Sequence, residues 1–205
     1  MALIKLNNRA VKDATAFGSI SSLGSLTFIS TQTASASASI SFTTGIDSTY
    51  KEYLFIFNNL HPATDSVQFN FNLSTDGGSS YNVVRTTTFF TAYHNEDDSG
   101  TALSYGGNND LAQALGGSQT FGELAWNQGA DADQSVSGYL QLFNPSSNVF
   151  VKNYIGSFNQ SHQENISIVN YIAGYGNTTS AVNAIDFQFS SGNIDAGTIS
   201  LFGIA

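Results

Sequence analysis

The sequence predicts an all-β protein, an antiparallel β-sandwich or barrel preceded by an extended N-terminal arm. Beyond residue 25, apolar side chains alternate with polar ones over most of the chain, which is the period of a half-buried strand. Groups of Gly, Asn, Ser and Pro separate these stretches at the spacing typical of sandwiches and barrels. The 205 residues include 16 Phe and 9 Tyr, which supply large side chains for one core.

The arm differs from the rest of the chain in charge. Its first twelve residues carry three basic side chains and no acidic one, while the remainder has three basic and all 15 acidic side chains. Apolar residues interleaved with these charges would be wasted on a solvated tail, although termini are often disordered. We therefore interpret residues 1–24 as an attachment arm and joint, and residues 25–205 as the sandwich domain. The candidate attachment residues are Leu3, Ile4, Lys5, Leu6, Arg9, Val11 and Lys12.

Ten segments of the domain carry the strand pattern. Residues 50–58 are strongly apolar and predict a central strand, whereas 68–73 alternate so regularly that one face should be buried and the other solvated. Small residues alternate with serine in 34–42, which would permit close packing beneath another layer. Residues 198–204 predict a final strand that holds the C-terminal end in a sheet. In order, the predicted strands are 26–31, 34–42, 50–58, 68–73, 81–93, 138–143, 149–158, 166–173, 182–189 and 198–204.

Residues 94–135 break the pattern and predict a long excursion between strands. The excursion opens with an acidic, turn-prone run and contains two Gly-Gly pairs. Residues 110–115 are the one plausible short helix, because Asp110 could cap its N-terminus. Leu124 and Trp126 indicate one further strand within this stretch.

Residues 74–81 read Ser-Thr-Asp-Gly-Gly-Ser-Ser-Tyr, which matches the Asp-box pattern Ser-x-Asp-x-Gly-x-Ser/Thr-aromatic. The aspartate is expected to bond local backbone amides, the glycines to adopt positive φ, and the aromatic ring to fold under the turn. We interpret the box as structural, although it also occurs in carbohydrate-binding proteins.

Motifs of catalysis are missing from the sequence. There is no cysteine, hence no disulfide or thiol chemistry, and no HExxH, Gly-x-Ser-x-Gly or P-loop motif occurs. The run Glu96-Asp97-Asp98 beside His94 lacks the spacing of a calcium loop. We therefore expect no catalytic residue, no metal, no cofactor and no enzymatic activity.

The composition also limits the partners. An acidic body argues against nucleic acid, because phosphate binding needs a basic face. No segment resembles a signal peptide, and no apolar run approaches the 18 residues that span a bilayer. We expect neither nucleic acid nor a membrane as a partner.

Four residues in or near the excursion are candidates for binding a glycan. Exposed aromatic rings beside Asn and Asp suit sugar stacking and hydrogen bonding, but the same rings could simply pin the excursion to the sandwich. These candidates are Tyr93, Asp97, Tyr105 and Trp126.

The chain resembles short virion structural proteins of marine tailed bacteriophages. The resemblance is carried by residues 4–12, the Asp-box segment, residues 142–147 and residues 191–204. It implies a particle component with a jelly-roll-like sandwich, assembled in the host cytoplasm and located in the virion.

The leading hypothesis is a capsid decoration protein of the cement, knob or head-fibre kind. Its arm would bind the major capsid protein, and we expect a homo-oligomer such as a trimer. The alternative is a tail-fibre or receptor-binding protein that recognises host surface glycans. A third and weaker hypothesis is a carbohydrate-active enzyme.

Overall fold

The computed structural model describes residues 26–107, 109–115 and 122–205, so the predicted arm lies outside the described residues. In the described ranges no helix is long and apolar enough to cross a membrane. The strands there are β1 (Leu26–Thr33), β2 (Ile40–Phe42), β3 (Glu52–Pro62), β4 (Val67–Ser74), β5 (Arg85–Asn95), β6 (Thr101–Tyr105), β7 (Gly122–Gln128), β8 (Val136–Phe143), β9 (Lys152–His162), β10 (Ile166–Gly176), β11 (Ala184–Phe189) and β12 (Ile194–Ile204).

The strands form two antiparallel layers of unequal width. The wide layer has the order β1-β12-β3-β8-β9-β10-β5-β6, and the narrow layer has the order β7-β4-β11-β2. A single register pair, Gln128 with His162, joins β7 to β9 and so links the layers. The predicted all-β antiparallel class is confirmed, while the jelly-roll connectivity stays a prediction.

Aromatic side chains from both layers interdigitate to form the core. The ring centroid of Phe187 in the narrow layer lies 4.9 Å from that of Phe57 and 5.5 Å from that of Phe55, both in the wide layer. Phe69 contacts Phe57 at 5.7 Å and Phe158 at 6.2 Å. Most of these pairs meet edge to face, the geometry that aromatic quadrupoles favour. The alternating Phe residues are therefore what holds one layer on the other.

Strand β4 is buried on both faces, contrary to the prediction that one face of 68–73 would be solvated. Asn70 and Asn72, the expected solvent-facing residues, are fully buried. The segment after the Asp box folds back over β4, where the Asn72 side-chain amide donates to the Tyr81 carbonyl at 2.7 Å. An amide can be buried in this way because it finds hydrogen-bond partners.

The predicted helix at 110–115 is wrong. The Thr87 N–H donates to the Leu111 carbonyl at 2.8 Å, and the Arg85 N–H donates to the Ala114 carbonyl, also at 2.8 Å. The backbone groups that a helix would need are thus used to pair with β5. Six residues are in any case too few for a helix that packing does not favour.

Two further strand predictions need correction. Within 34–42 only Ile40–Phe42 forms a strand, and the small residues before it bend across the end of the core. The excursion contains β6 as well as the expected β7. All five residues of β6 are exposed, so its sequence lacks the buried apolar positions that would identify it as a strand.

The Asp box forms the predicted turn. The Ser74 hydroxyl donates to the Asp76 carboxylate at 2.6 Å, and the carboxylate also accepts the Ser80 N–H at 2.9 Å. Gly77 and Gly78 have φ values of +73° and +89°. These bonds hold the pKa of Asp76 below its ordinary value, and they fix the turn that sends the chain back over β4.

Candidate functional site

A groove lies where the wide layer extends beyond the narrow one. Along one stretch of the inner faces of β10 and β5, the side chains of Ile168 and Tyr93 line open space beside β7. Trp126 of β7 forms one side of the open space, and Tyr93 of β5 forms the other. We call this feature the Trp126 groove.

Three adjoining depressions make up the groove. The first, of about 420 Å³, lies between Thr91 and Trp126. The second, of about 320 Å³, shares Trp126 with the first and adds Tyr93. The third, of about 390 Å³, shares Asn95 with the second and ends at Asp97. Each depression falls within the size range of small-molecule sites.

A β-bulge places Trp126 in the groove. Between the register pairs Phe69–Ala125 and Val67–Gln128, β7 has one more residue than β4. Asn127, inside this bulge, adopts the left-handed conformation with φ of +48°, which asparagine tolerates better than most residues. Bulges rotate the side chains beside them and are common near binding sites. The Trp126 ring is thereby half-buried, with its centroid 5.2 Å from that of His162.

His162 provides an unused hydrogen-bond donor in the second depression. Burial lowers the pKa of this imidazole, although Glu164 and Asp65 oppose the shift. Its Nδ1 accepts the Glu164 N–H at 3.1 Å, so the neutral ring carries its proton on Nε2. Nε2 is buried and has no partner within the described structure. The ring itself lines the second depression.

Asn95 provides the complementary acceptor. Its side-chain amide donates to the Ser99 hydroxyl at 2.9 Å, while its Oδ1 is buried and unpartnered in the described part of the chain. Asn95 lines both the second and the third depression. Polar side chains with an unpartnered atom thus lie beside adjoining parts of the groove.

The rim of the third depression is acidic. Glu96, Asp97 and Glu164 line it. The side chain and backbone N–H of Ser99 hold the pKa of Asp97 below its ordinary value, which keeps that carboxylate charged near neutral pH. No lysine or arginine lines the described part of the groove. The charge disfavours anions, while the carboxylates of the rim can accept hydrogen bonds from a ligand.

The structure places all four candidate glycan-binding residues along this groove. Trp126 and Tyr93 face each other across the second depression, Tyr105 lies at the first and Asp97 at the third. Tyr105 is exposed, and its hydroxyl donates to Asp110 at 2.9 Å. Their role in binding stays a prediction, as does the role of the attachment residues 3–12, which lie outside the described residues.

Sequence reasoning did not find His162, Asn95 or Glu164. His162 sits at an inward position of an alternating strand, where a histidine looks like any core residue. Its orphaned nitrogen becomes visible only when β7 and β9 meet. No local pattern in the sequence signals that meeting.

Neither metal-binding geometry nor comparison assigns a chemistry to the chain. Within the described ranges, no three His, Asp or Glu side chains come together as metal ligands. Comparison with protein-family models, with curated proteins and with solved structures finds no match. The function must therefore be argued from the residues themselves.

Proposed function

We propose that this protein is a structural component of a phage virion, a capsid decoration protein that binds the major capsid protein through residues 1–24. The observation that carries the proposal is the unpaired edge of β1, the strand that follows the arm in the sequence. Strand β1 lies at one edge of the wide layer and, among the described strands, pairs only with β12. Leu26 and Phe28 at its start are 49% and 59% exposed.

The apolar pattern of the arm thus continues onto an unpaired sheet edge. Such an edge offers backbone N–H and C=O groups to a strand of a partner. Each apolar arm residue that a partner buries fully would contribute about 1.5–3 kcal/mol. Exposed charge pairs would add only about 0–1 kcal/mol each.

The distribution of charge between the arm and the domain supports the proposal. Two of its three basic side chains, Arg85 and Lys152, are fully buried. Lys51 is the one exposed lysine or arginine in the described part of the chain. The surface is therefore acidic, while the basic groups available to a partner are concentrated in the arm.

Deletion of residues 1–24 tests this proposal. The shortened protein should fold with a melting temperature close to that of the full chain, because β1 starts at Leu26. It should no longer bind purified capsids that lack the protein. Full chain carrying Lys51→Ala is the matched control, since it removes a basic residue from the body and should bind normally.

Full-occupancy binding by the shortened protein would contradict the proposal. Labelling the protein in intact virions gives an independent measurement. Hundreds of copies on the head agree with decoration, whereas a handful at the tail favour an adhesin.

Recognition of a neutral glycan is a second candidate function, favoured by the Trp126 groove. Sugars present apolar C–H faces to aromatic rings and hydroxyls to polar groups. Two aromatic residues, Trp126 and Tyr93, line the second depression together with the polar residues His162 and Asn95. The groove and strand β1, which the arm precedes in sequence, lie toward opposite edges of the wide layer, roughly 30 Å apart at about 4.8 Å per strand. A protein held by its arm could therefore present the groove to solvent.

A glycan array tests the second candidate. Tyr93→Ala should weaken binding of neutral glycans at least about tenfold, as expected for an aromatic residue central to an interface. Asp97→Asn should also weaken it by removing a charged acceptor. Phe150→Ala is the matched control, because it removes an exposed ring from the loop between β8 and β9. Equal loss in the control, or no binding by the unmodified protein, would exclude the groove as a glycan site.

A further inference from the structure

The outward side of the wide layer, which we call the outer face, carries a row of exposed apolar side chains. Ile56 pairs in register with Tyr139, Tyr139 with Ser157, Ser157 with Tyr171, and Tyr171 with Phe90. The four large members are 36–41% exposed. The Phe90 and Tyr171 rings stack with centroids 4.9 Å apart. Register partners share one face of a sheet, so the row runs across five strands.

A second apolar row lies beside the first. Phe28 pairs with Phe202, Phe202 with Leu54, Leu54 with Gln141, and Gln141 with Ile155. Phe28 packs edge-on against Phe202 with centroids 5.6 Å apart. Phe28 and Ile155 are exposed, so this row widens the apolar surface toward β1.

The outer face is almost free of charge. In the described chain it comprises these two rows and two flanking rows, one on each side. One flanking row contains Glu52, and the other contains Asn58. Glu52 is the one carboxylate in these four described rows, and none of them has a lysine or arginine. The Gln141 side-chain amide donates a hydrogen bond to Glu52 at 2.6 Å. On a chain with a net charge of −9, a neutral surface of this extent is a marked exception.

The size of the outer face matches one side of a stable interface. Seven strands about 4.8 Å apart and four rows about 6.8 Å apart give a footprint of roughly 900 Å². A standard protein–protein interface takes about 800 Å² from each partner. Exposed apolar patches larger than a few hundred Å² mark interaction sites.

We propose that the outer face is the surface through which copies of this chain associate. Two acidic bodies repel each other across most of their surfaces. Two neutral outer faces can approach without repulsion between like charges. Apolar rows that cross the sheet can meet their own counterparts about a two-fold axis. The inference holds whether or not the arm binds a capsid.

The mass of the full chain in solution tests the proposal. By light scattering, the unmodified protein should have a multiple of its 21.8 kDa chain mass. Tyr171→Asp puts a carboxylate in the first row and should return the mass to that of one chain. Ser79→Asp is the charge-matched control, because Ser79 is exposed in the Asp-box turn of the narrow layer, and it should leave the multiple intact.

Thiol labelling supplies a measurement that does not depend on a disruptive variant. The chain has no cysteine, so Ser157→Cys places one small reporter between Tyr139 and Tyr171. Its reaction with a maleimide should slow as the protein is concentrated, whereas the thiol of Ser79→Cys should react at a constant rate.

Three results would overturn the proposal. They are a single-chain mass at every concentration, an unchanged multiple in Tyr171→Asp, and concentration-independent labelling of Ser157→Cys. If Tyr171→Asp does not fold, the labelling experiment decides alone.

Discussion

At the scale of single residues, two buried cations act as connectors between loops and strands. The Arg85 guanidinium lies 4.7 Å from the centre of the Phe71 ring and donates to the carbonyls of Phe71 and Leu115. Burial lowers the pKa of Arg85 to about 10, so it is still charged at neutral pH. Lys152 donates to the carbonyls of Ser147 at 2.8 Å and Phe150 at 2.7 Å. Both cations satisfy backbone acceptors that would otherwise be buried without a donor.

A buried carboxyl gives a pH-dependent prediction at the same scale. Asp186 is buried in the narrow layer, accepts a hydrogen bond from the Ser41 hydroxyl, and has its pKa raised by burial. A raised folded pKa stabilises the protonated native state. This contribution is fully present below the ordinary value of 3.8 and is lost as pH rises through the folded value.

The contribution of Asp186 to the free energy of unfolding should therefore fall across that pH window, and Asp186→Asn should remove this contribution from the curve. At neutral pH the variant should be more stable by roughly 1 kcal/mol, the scale of one hydrogen-bonding change. Urea unfolding at a series of pH values measures both effects. A steeper pH dependence in the variant would contradict the assignment.

At the scale of elements, short local motifs direct longer strands. The Asp-box turn folds the following segment over β4, which buries that strand on both faces. The bulge in β7 puts Trp126 into the groove. In each case one turn or one extra residue decides what a whole strand contacts.

The two glycines of the Asp box provide a matched pair for testing the turn. Both have positive φ, but a Cβ on Gly78 would lie 2.7 Å from the Thr43 methyl and from the Tyr81 hydroxyl, whereas a Cβ on Gly77 would meet nothing within 4 Å. Gly77→Ala should cost about 1 kcal/mol through backbone strain alone. Gly78→Ala should cost at least about 1 kcal/mol more, because overpacking is added. Urea unfolding that gives equal losses would mean that the Tyr81 ring does not pack under the turn.

At the scale of the whole molecule, the unequal widths of the two layers organise the surface. Eight strands cannot be covered by four, so the wide layer leaves the groove at one edge and the edge strand β1 at the other. Its outer face has no layer packed on it within the described structure. The inner strands β12 and β3 are held from both sides. That placement is why loss of the arm before β1 should leave the domain folded.

Much of the fold could be predicted because its signals are local. Alternation in 50–58 and 166–173 fixes strand type through the two-residue period, and the Asp box fixes a turn through its own side chains. The groove residues Tyr93, Asp97, Tyr105 and Trp126 could be proposed because aromatic rings beside acidic and amide side chains suit sugars wherever they lie.

The sequence by itself determined the antiparallel β class, most strand positions, the Asp-box turn and the acidic body, all of which depend on neighbours along the chain. Only the tertiary structure decided the eight-to-four division of strands, the burial of Asn70 and Asn72, the pairing of 110–115 with β5, and the free nitrogen of His162. These features depend on which strands lie opposite one another. Pairing between distant segments is governed by the packing of the whole core, and no single stretch of sequence encodes it.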